Sequence, residues 1–261
     1  MSDSVSRSAD YSDGAVARRD PQAAGASVLV HHDIPVTTTM PEELSDYLAK
    51  DALQGRFPWR RSSWSAALHD DQLTLELLHS LGDEVDREST RTVVLEELAA
   101  DRVVPAFVAA MIWGYGTTGY GPARVRWVLT GVRGRAAAAA PIRADVGEKL
   151  AMGARVARDL GPVEGFRYMI NAGKVAYLGG PFFTKWLYFA TAVDGIAGPN
   201  AAPILDAQVA RWLRIQQVVS LRVDKTPDYE TYLRMLTEWG KRSGRAPAQV
   251  EAGMFHLATG R

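Results

Sequence analysis

Prolines mark the places in this chain where helices begin, and that punctuation confines it to a fold made of many helices of moderate length. Pro41-Glu42-Glu43, Gly121-Pro122, Gly161-Pro162, Gly180-Pro181, Thr226-Pro227 and Ala246-Pro247 each set a proline at or near the start of a helical pattern. There its fixed φ suits the first turn, and its missing N–H would have had no partner anyway. Between these starts, apolar residues recur at helical spacing: Leu44, Tyr47, Leu48 and Leu53; then Leu73, Leu77, Leu78 and Leu81; then Val93 to Ala100. Val103 to Trp113 is apolar on nearly all sides, which marks a buried helix. Further helices are predicted near 144–159, 163–177, 182–193, 206–217, 227–242 and 247–258, with a linker or helix end at the alanine run 136–140. There is no internal repeat and no convincing sheet, so the fold class is mainly α.

Residues 1–40 are rich in Ser, Asp, Ala and Thr without a sustained period, and are expected to form a flexible N-terminal tail. Within them, 27–36 reads as a short strand or docking segment. Its His31-His32 pair diverges on a strand and lacks an acidic or histidine partner at i+4, so no metal site is expected. The chain has no cysteine, which excludes disulfides, iron–sulfur clusters, thiolate zinc sites and cysteine nucleophiles together. No apolar run approaches the ~18 residues of a membrane span, and the N-terminus lacks signal-peptide order. A cytoplasmic protein without a membrane partner is expected.

The zero net charge hides two opposite halves. Residues 1–121 hold 10 Lys and Arg against 19 Asp and Glu, while residues 122–261 hold 20 against 11. Arginines at 124, 126, 133, 135 and 143 lead the basic half. Such asymmetry points to a polyanion partner or to an acidic half packed on a basic one. Just before, WGYGTTGYGPAR alternates glycines with Trp113, Tyr115 and Tyr120 and leads into a helix bearing Arg124 and Arg126. It lacks the Lys-Ser/Thr of a P-loop, and reads either as a plain interhelical turn or as a phosphate contact.

The most informative stretch runs from Lys174 to Leu213. A turn at Leu178-Gly179-Gly180-Pro181 enters an aromatic helix in which Phe182, Tyr188 and Phe189 lie three or four residues from Lys185. A lysine among aromatics either loses hydration and gains nucleophilic character or extends its ammonium to water. Asp206 follows 21 residues later at a helix N-cap. A continuous helix would put the two roughly 30 Å apart. Gly195, Gly198, Pro199 and Pro203 turn the chain back, so Asp206 can face Lys185 across a cleft or serve as a cap alone.

This pattern resembles the helix-hairpin-helix DNA glycosylases, most closely the branch with the 8-oxoguanine glycosylase fold. The likeness rests on Leu178-Gly179-Gly180, Thr184-Lys185 and Pro203-Ile204-Leu205-Asp206, is close over about 160–220 and extends loosely over 90–258. It implies a multi-helix orthogonal bundle over 41–261, one domain or two helical subdomains around a cleft, with the hairpin at 178–181. It implies no cofactor and a double-stranded DNA partner carrying a modified base. By the same resemblance Lys185 is the Schiff-base nucleophile of a glycosylase with β-lyase activity, and Asp206 the acid that stabilises charge on the sugar. Gly179, Gly180, Thr184, Arg124 and Arg126 would contact DNA. Trp113, Tyr115, Trp186, Phe189, Trp212 and Phe255 are candidates for the pocket that receives the flipped base. The sequence departs from the family at the hairpin, where Phe182 and Phe183 stand between the glycines and Thr184-Lys185 in place of the usual Gly-x-Gly; its N-terminal half is also short for a sheet-bearing domain, and it lacks the cluster cysteines of the endonuclease III kind. The altered hairpin suits a non-catalytic DNA-binding protein as well, and the neutral overall charge suits a hydrolase or transferase acting on a free modified nucleoside.

Overall fold

Two buried helices, α5 (Val103–Tyr115) and α9 (Gly180–Thr191), cross at the centre of the molecule in a computed structural model that describes residues 39–50 and 55–260. Phe107 meets Trp186 edge-on at 5.9 Å and Trp113 meets Phe189 at 5.1 Å, so the crossing is sealed by aromatic pairs. Every residue of α5 from Pro105 to Trp113 is buried, as its all-round apolar sequence predicts. Burial of each such large side chain contributes about 1.5–3 kcal/mol.

Around it lie α1 (Glu42–Leu48), α2 (Arg61–Ala67), α3 (Gln72–Ser80), α4 (Arg87–Ala99), α6 (Gly121–Thr130), α7 (Ala144–Leu160), α8 (Pro162–Ile170), α10 (Ala207–Ile215), α11 (Thr226–Ser243) and α12 (Pro247–Thr259). The indole N–H of Trp186 donates to Leu150 O at 3.0 Å, tying α9 to α7. Asp86 caps α4 in a reciprocal box with Ser89, accepting from its N–H at 2.6 Å while its own N–H donates to Ser89 Oγ at 3.1 Å. That start directs Arg87 inward, where its guanidinium lies 5.0 Å from the Trp113 ring and 4.8 Å from the Tyr188 ring. It pairs there with the fully buried Glu251 of α12 at 2.9 Å.

The molecule is mainly α, as the sequence predicts, with helix ends shifted in several places. The helix predicted to continue to 177 stops at Ile170. Gly173 folds back over Tyr168, where a Cβ would come within 2.1 Å of the ring, and the chain turns several times before α9. The connection into α9 is therefore longer than the four-residue turn expected at 178–181. Leu73, expected inside, is 49% exposed, while Thr74 is buried with its hydroxyl satisfied by Asp71 at 2.5 Å. A two-residue antiparallel pairing, β1 (Phe57–Pro58) with β2 (Glu84–Val85), was not anticipated; it is too short to leave a strand signal in the sequence.

The alanine run forms a 3-10 helix, Arg135–Ala139. All described residues lie in one compact unit, Ile34–Arg261. The expected tail over 1–40, apart from its last two residues, and with it the 27–36 strand and His31-His32, lies outside the described residues, as does Leu53. No helix among the described residues is long and apolar enough to cross a membrane.

Candidate active site

Lys185 sits inside the second turn of α9 and folds back along its own helix, so that Nζ donates to Pro181 O at 3.0 Å and to Asp206 Oδ2 at 2.9 Å. Room for its methylenes comes from α5: a Cβ on Gly114 would stand 2.9 Å from the lysine Cδ. The Phe182 ring lies 5.5 Å from Nζ, and Tyr115 stacks on that ring at 4.2 Å. The side chains of Lys185 and Asp206 are only 7% and 9% exposed. The site is therefore a nearly dry ion pair under an aromatic cover, where charge–charge attraction is far stronger than in water.

Asp206 performs both tasks that its position suggested. Oδ1 accepts from the N–H groups of Gln208 and Val209 at 3.0 and 3.1 Å, which caps α10, and Oδ2 faces Lys185. Burial would raise this carboxyl, but the adjacent ammonium and the two cap N–H groups outweigh it and hold it below the usual carboxylate range. It is thus a fixed negative charge.

The chain is brought back between these residues by overlapping turns at Ala192–Ala201, with Gly195 at φ +81°. The approach to Asp206 is an extended, buried segment whose backbone is tied by three side chains. Thr191 Oγ1 accepts from Ala202 N at 2.9 Å, and Tyr229 and Tyr232 donate to the carbonyls of Pro203 and Ile204 at 2.8 and 2.9 Å. Gly114, Tyr229 and Tyr232 are the site residues the sequence did not reveal, whereas the three-residue spacing of Phe182 from Lys185 already placed it beside the lysine.

The other expected site residues divide sharply. Thr184 is wholly buried and its hydroxyl donates to Gly180 O of its own helix at 2.8 Å, so it is an internal brace and not a DNA contact. Gly180 is also buried, because Val223 O occupies the place of a Cβ at 1.7 Å; Gly179 is exposed at the helix entry. Pro181 has no N–H, and the N–H groups of Phe182 and Phe183 donate to Gly179 O at 2.9 and 3.0 Å. The hairpin accordingly offers few amides to a phosphate.

Arg126 turns inward, 3% exposed, bonds Asp70 with both terminal nitrogens and donates to the carbonyls of Ala137, Ala138 and Ala140. It fastens the 3-10 turn and is withdrawn from any DNA face. Arg124 stays half-exposed beside Trp127. Trp113, Trp186 and Phe189 belong to the core crossing, and Trp212 is buried with its indole N–H on Glu43 at 3.1 Å, so these four do not line a base pocket. Phe255 packs partly buried against the core. Tyr115 alone of the six stands beside Lys185, in contact with Phe182. Among the described residues no group of three or more His, Asp or Glu side chains is arranged to hold a metal ion.

Comparison with known proteins returns one relation. A family model described as "Putative 8-oxoguanine DNA glycosylase OGG-like protein" matches residues 50–255, which includes Lys185 and Asp206 and all helices from α2 to α11. No curated protein and no solved structure matches the chain.

Proposed function

The chain belongs to the 8-oxoguanine DNA glycosylase OGG-like family, and on that premise we propose that it is a DNA glycosylase with associated β-lyase activity. It would excise a modified base with Lys185 as nucleophile and Asp206 as charge stabiliser. The observation that carries this reading is the buried 2.9 Å contact between a lysine amine and a carboxylate held on separate helices. Buried charges of this kind concentrate at functional sites, and what sets this pair apart from the equally buried Arg87–Glu251 pair is a cation that can become a nucleophilic amine.

The chemistry follows from the pair. As the N-glycosidic bond breaks, its electron pair leaves with the base and positive charge develops on the sugar. Asp206, already ionised, faces that charge and stabilises it without reorganisation. The ammonium of Lys185 can give one proton to the departing base and become the amine that attacks C1′. Loss of a second proton and opening of the C1′–O4′ bond yields the imine. Removal of a C2′ proton then expels the 3′ phosphate. Asp206 without the lysine would support base release only.

Borohydride reduction with DNA containing an abasic site tests the assignment: a covalent adduct is expected from the wild-type chain and none from Lys185→Gln. A second reading, a DNA-binding protein without activity, draws on the depleted hairpin amides. It requires DNA affinity with no adduct. A screen of DNAs each carrying one lesion then identifies the base.

A further inference from the structure

A run of rings and guanidinium groups leads from Lys185 to the surface. Beyond the Phe182–Tyr115 stack, Tyr120 meets Tyr115 edge-on at 6.1 Å. Arg124, on the helix that begins beside Tyr120, lies 5.4 Å from the Trp127 ring. Arg133 lies 5.6 Å from the same ring, and Tyr177 ends the run 6.2 Å from it. Two of these rings stand in water: Tyr120 is 62% exposed and Tyr177 42%. Tyr177 is moreover held at φ +63°, an unfavourable backbone conformation for a bulky residue.

The electrostatics of the two segments that build this run are one-sided. Residues 103–144 and 165–193 contain no Asp or Glu and carry eight Lys and Arg between them. Arg126, Arg143 and Arg167 of these are paired with acids from elsewhere. Arg133, Arg135 and Lys174 are exposed and form no ion pair among the described residues. Cations beside exposed rings match a polyanion that also offers flat faces, which is a nucleic acid strand.

Bases within an intact duplex cover each other's faces and present only edges and phosphates. Exposed tyrosines gain from stacking only where base faces are free. We propose that the strip from Tyr120 to Tyr177 binds unpaired nucleotides beside the target. The Lys185 site would then act preferentially on a strand already separated from its complement, as single strand or as an opened region. The proposal rests on the reading of Lys185 and Asp206 as a glycosylase site and specifies the state of its substrate. Such a substrate also spares the site the cost of unpairing the target base.

Fluorescence anisotropy with one oligonucleotide carrying a stable abasic analogue, measured as single strand and as duplex, tests this. The single strand is expected to bind several-fold more tightly. Tyr120→Ala and Tyr177→Ala should each weaken single-strand binding roughly tenfold while changing duplex binding little. Tyr177→Phe, which keeps the ring, should behave as wild type. Both tyrosines are exposed, and circular dichroism verifies that the variants are folded. Duplex binding equal to or tighter than single-strand binding, equal losses on both forms in the alanine variants, or no binding of either form would overturn the proposal. Failure here is distinct from failure of the chemistry. A borohydride adduct without strand preference removes the strip and keeps the glycosylase, and strand preference without an adduct does the reverse.

Discussion

Asp206 divides its carboxylate between two helices, one oxygen capping α10 and the other 2.9 Å from the Nζ of Lys185 on α9. A cap and the proposed catalytic charge are thus one group, and substitutions there separate the two tasks. Asp206→Asn keeps an oxygen for the cap N–H groups but removes the charge. Base excision should slow by about 100- to 1,000-fold, the usual loss when a preorganised charge partner is removed. Cleavage of a preformed abasic site should fall less. Single-turnover assays on the two substrates measure the split, and equal losses on both would show that Asp206 has no special role in base release.

The same carboxyl makes stability depend on acid. Its folded value lies below the unfolded one of ~3.9. The contribution is therefore fully present above that unfolded value and disappears as pH falls through the lower, folded one. Wild type should lose more stability than Asp206→Asn between about pH 4 and the acid end of the titration. Urea melts across that range check the sign; parallel curves would mean that the carboxylate gains nothing from its neighbours.

Arg87 and Glu251 form the second buried pair, with Arg87 8% exposed in its side chain and Glu251 fully enclosed. Arg87→Met alone leaves a buried carboxylate without its partner and should destabilise by about 3–5 kcal/mol. The double change with Glu251→Met should recover most of that. Equilibrium unfolding of the single and double variants gives the coupling energy, and additive losses would show that the pair acts independently.

Gly114 offers the sharpest separation of fold from activity. Alanine is favoured over glycine in a helix by about 1 kcal/mol, yet its Cβ would press on the Lys185 side chain at 2.9 Å. Gly114→Ala should reduce the trapped adduct far more than it lowers the melting temperature, the helix gain offsetting part of the strain put on the buried pair. An unchanged adduct would mean that Lys185 moves aside without losing its contact with Asp206.

Much of this was legible in the sequence because it rests on local rules. Proline at N1, acids in first turns and the 3.6-residue apolar period place helix starts without knowledge of the rest of the chain, and they located the starts of α6, α8, α11 and α12. The family motif around Lys185 and Asp206 was legible for a related reason: a hairpin, a lysine and a capping acid keep fixed intervals along the chain. The misplacements have a common cause. Thr74 is buried in preference to Leu73 because α3 is oriented by its neighbours and Asp71 satisfies its hydroxyl. Arg126 points inward because three carbonyls of the 3-10 turn and Asp70 converge on it.

The sequence by itself determined a helical protein of the OGG-like family and singled out Lys185 and Asp206, which the fold brings into contact. Only the tertiary structure decided which aromatics are core and which surround the site. Trp113, Trp186 and Phe189 are sealed in the crossing of α5 and α9, whereas Tyr115 meets Phe182 beside Lys185 because the ends of those two helices converge there. Likewise Tyr229 and Tyr232 hold the Asp206 segment from more than twenty residues away in sequence. Periodicity records that a side chain is apolar and which face it shares, but not what stands opposite. Contacts between helices distant along the chain are fixed by packing of the whole core, and no local interval encodes them.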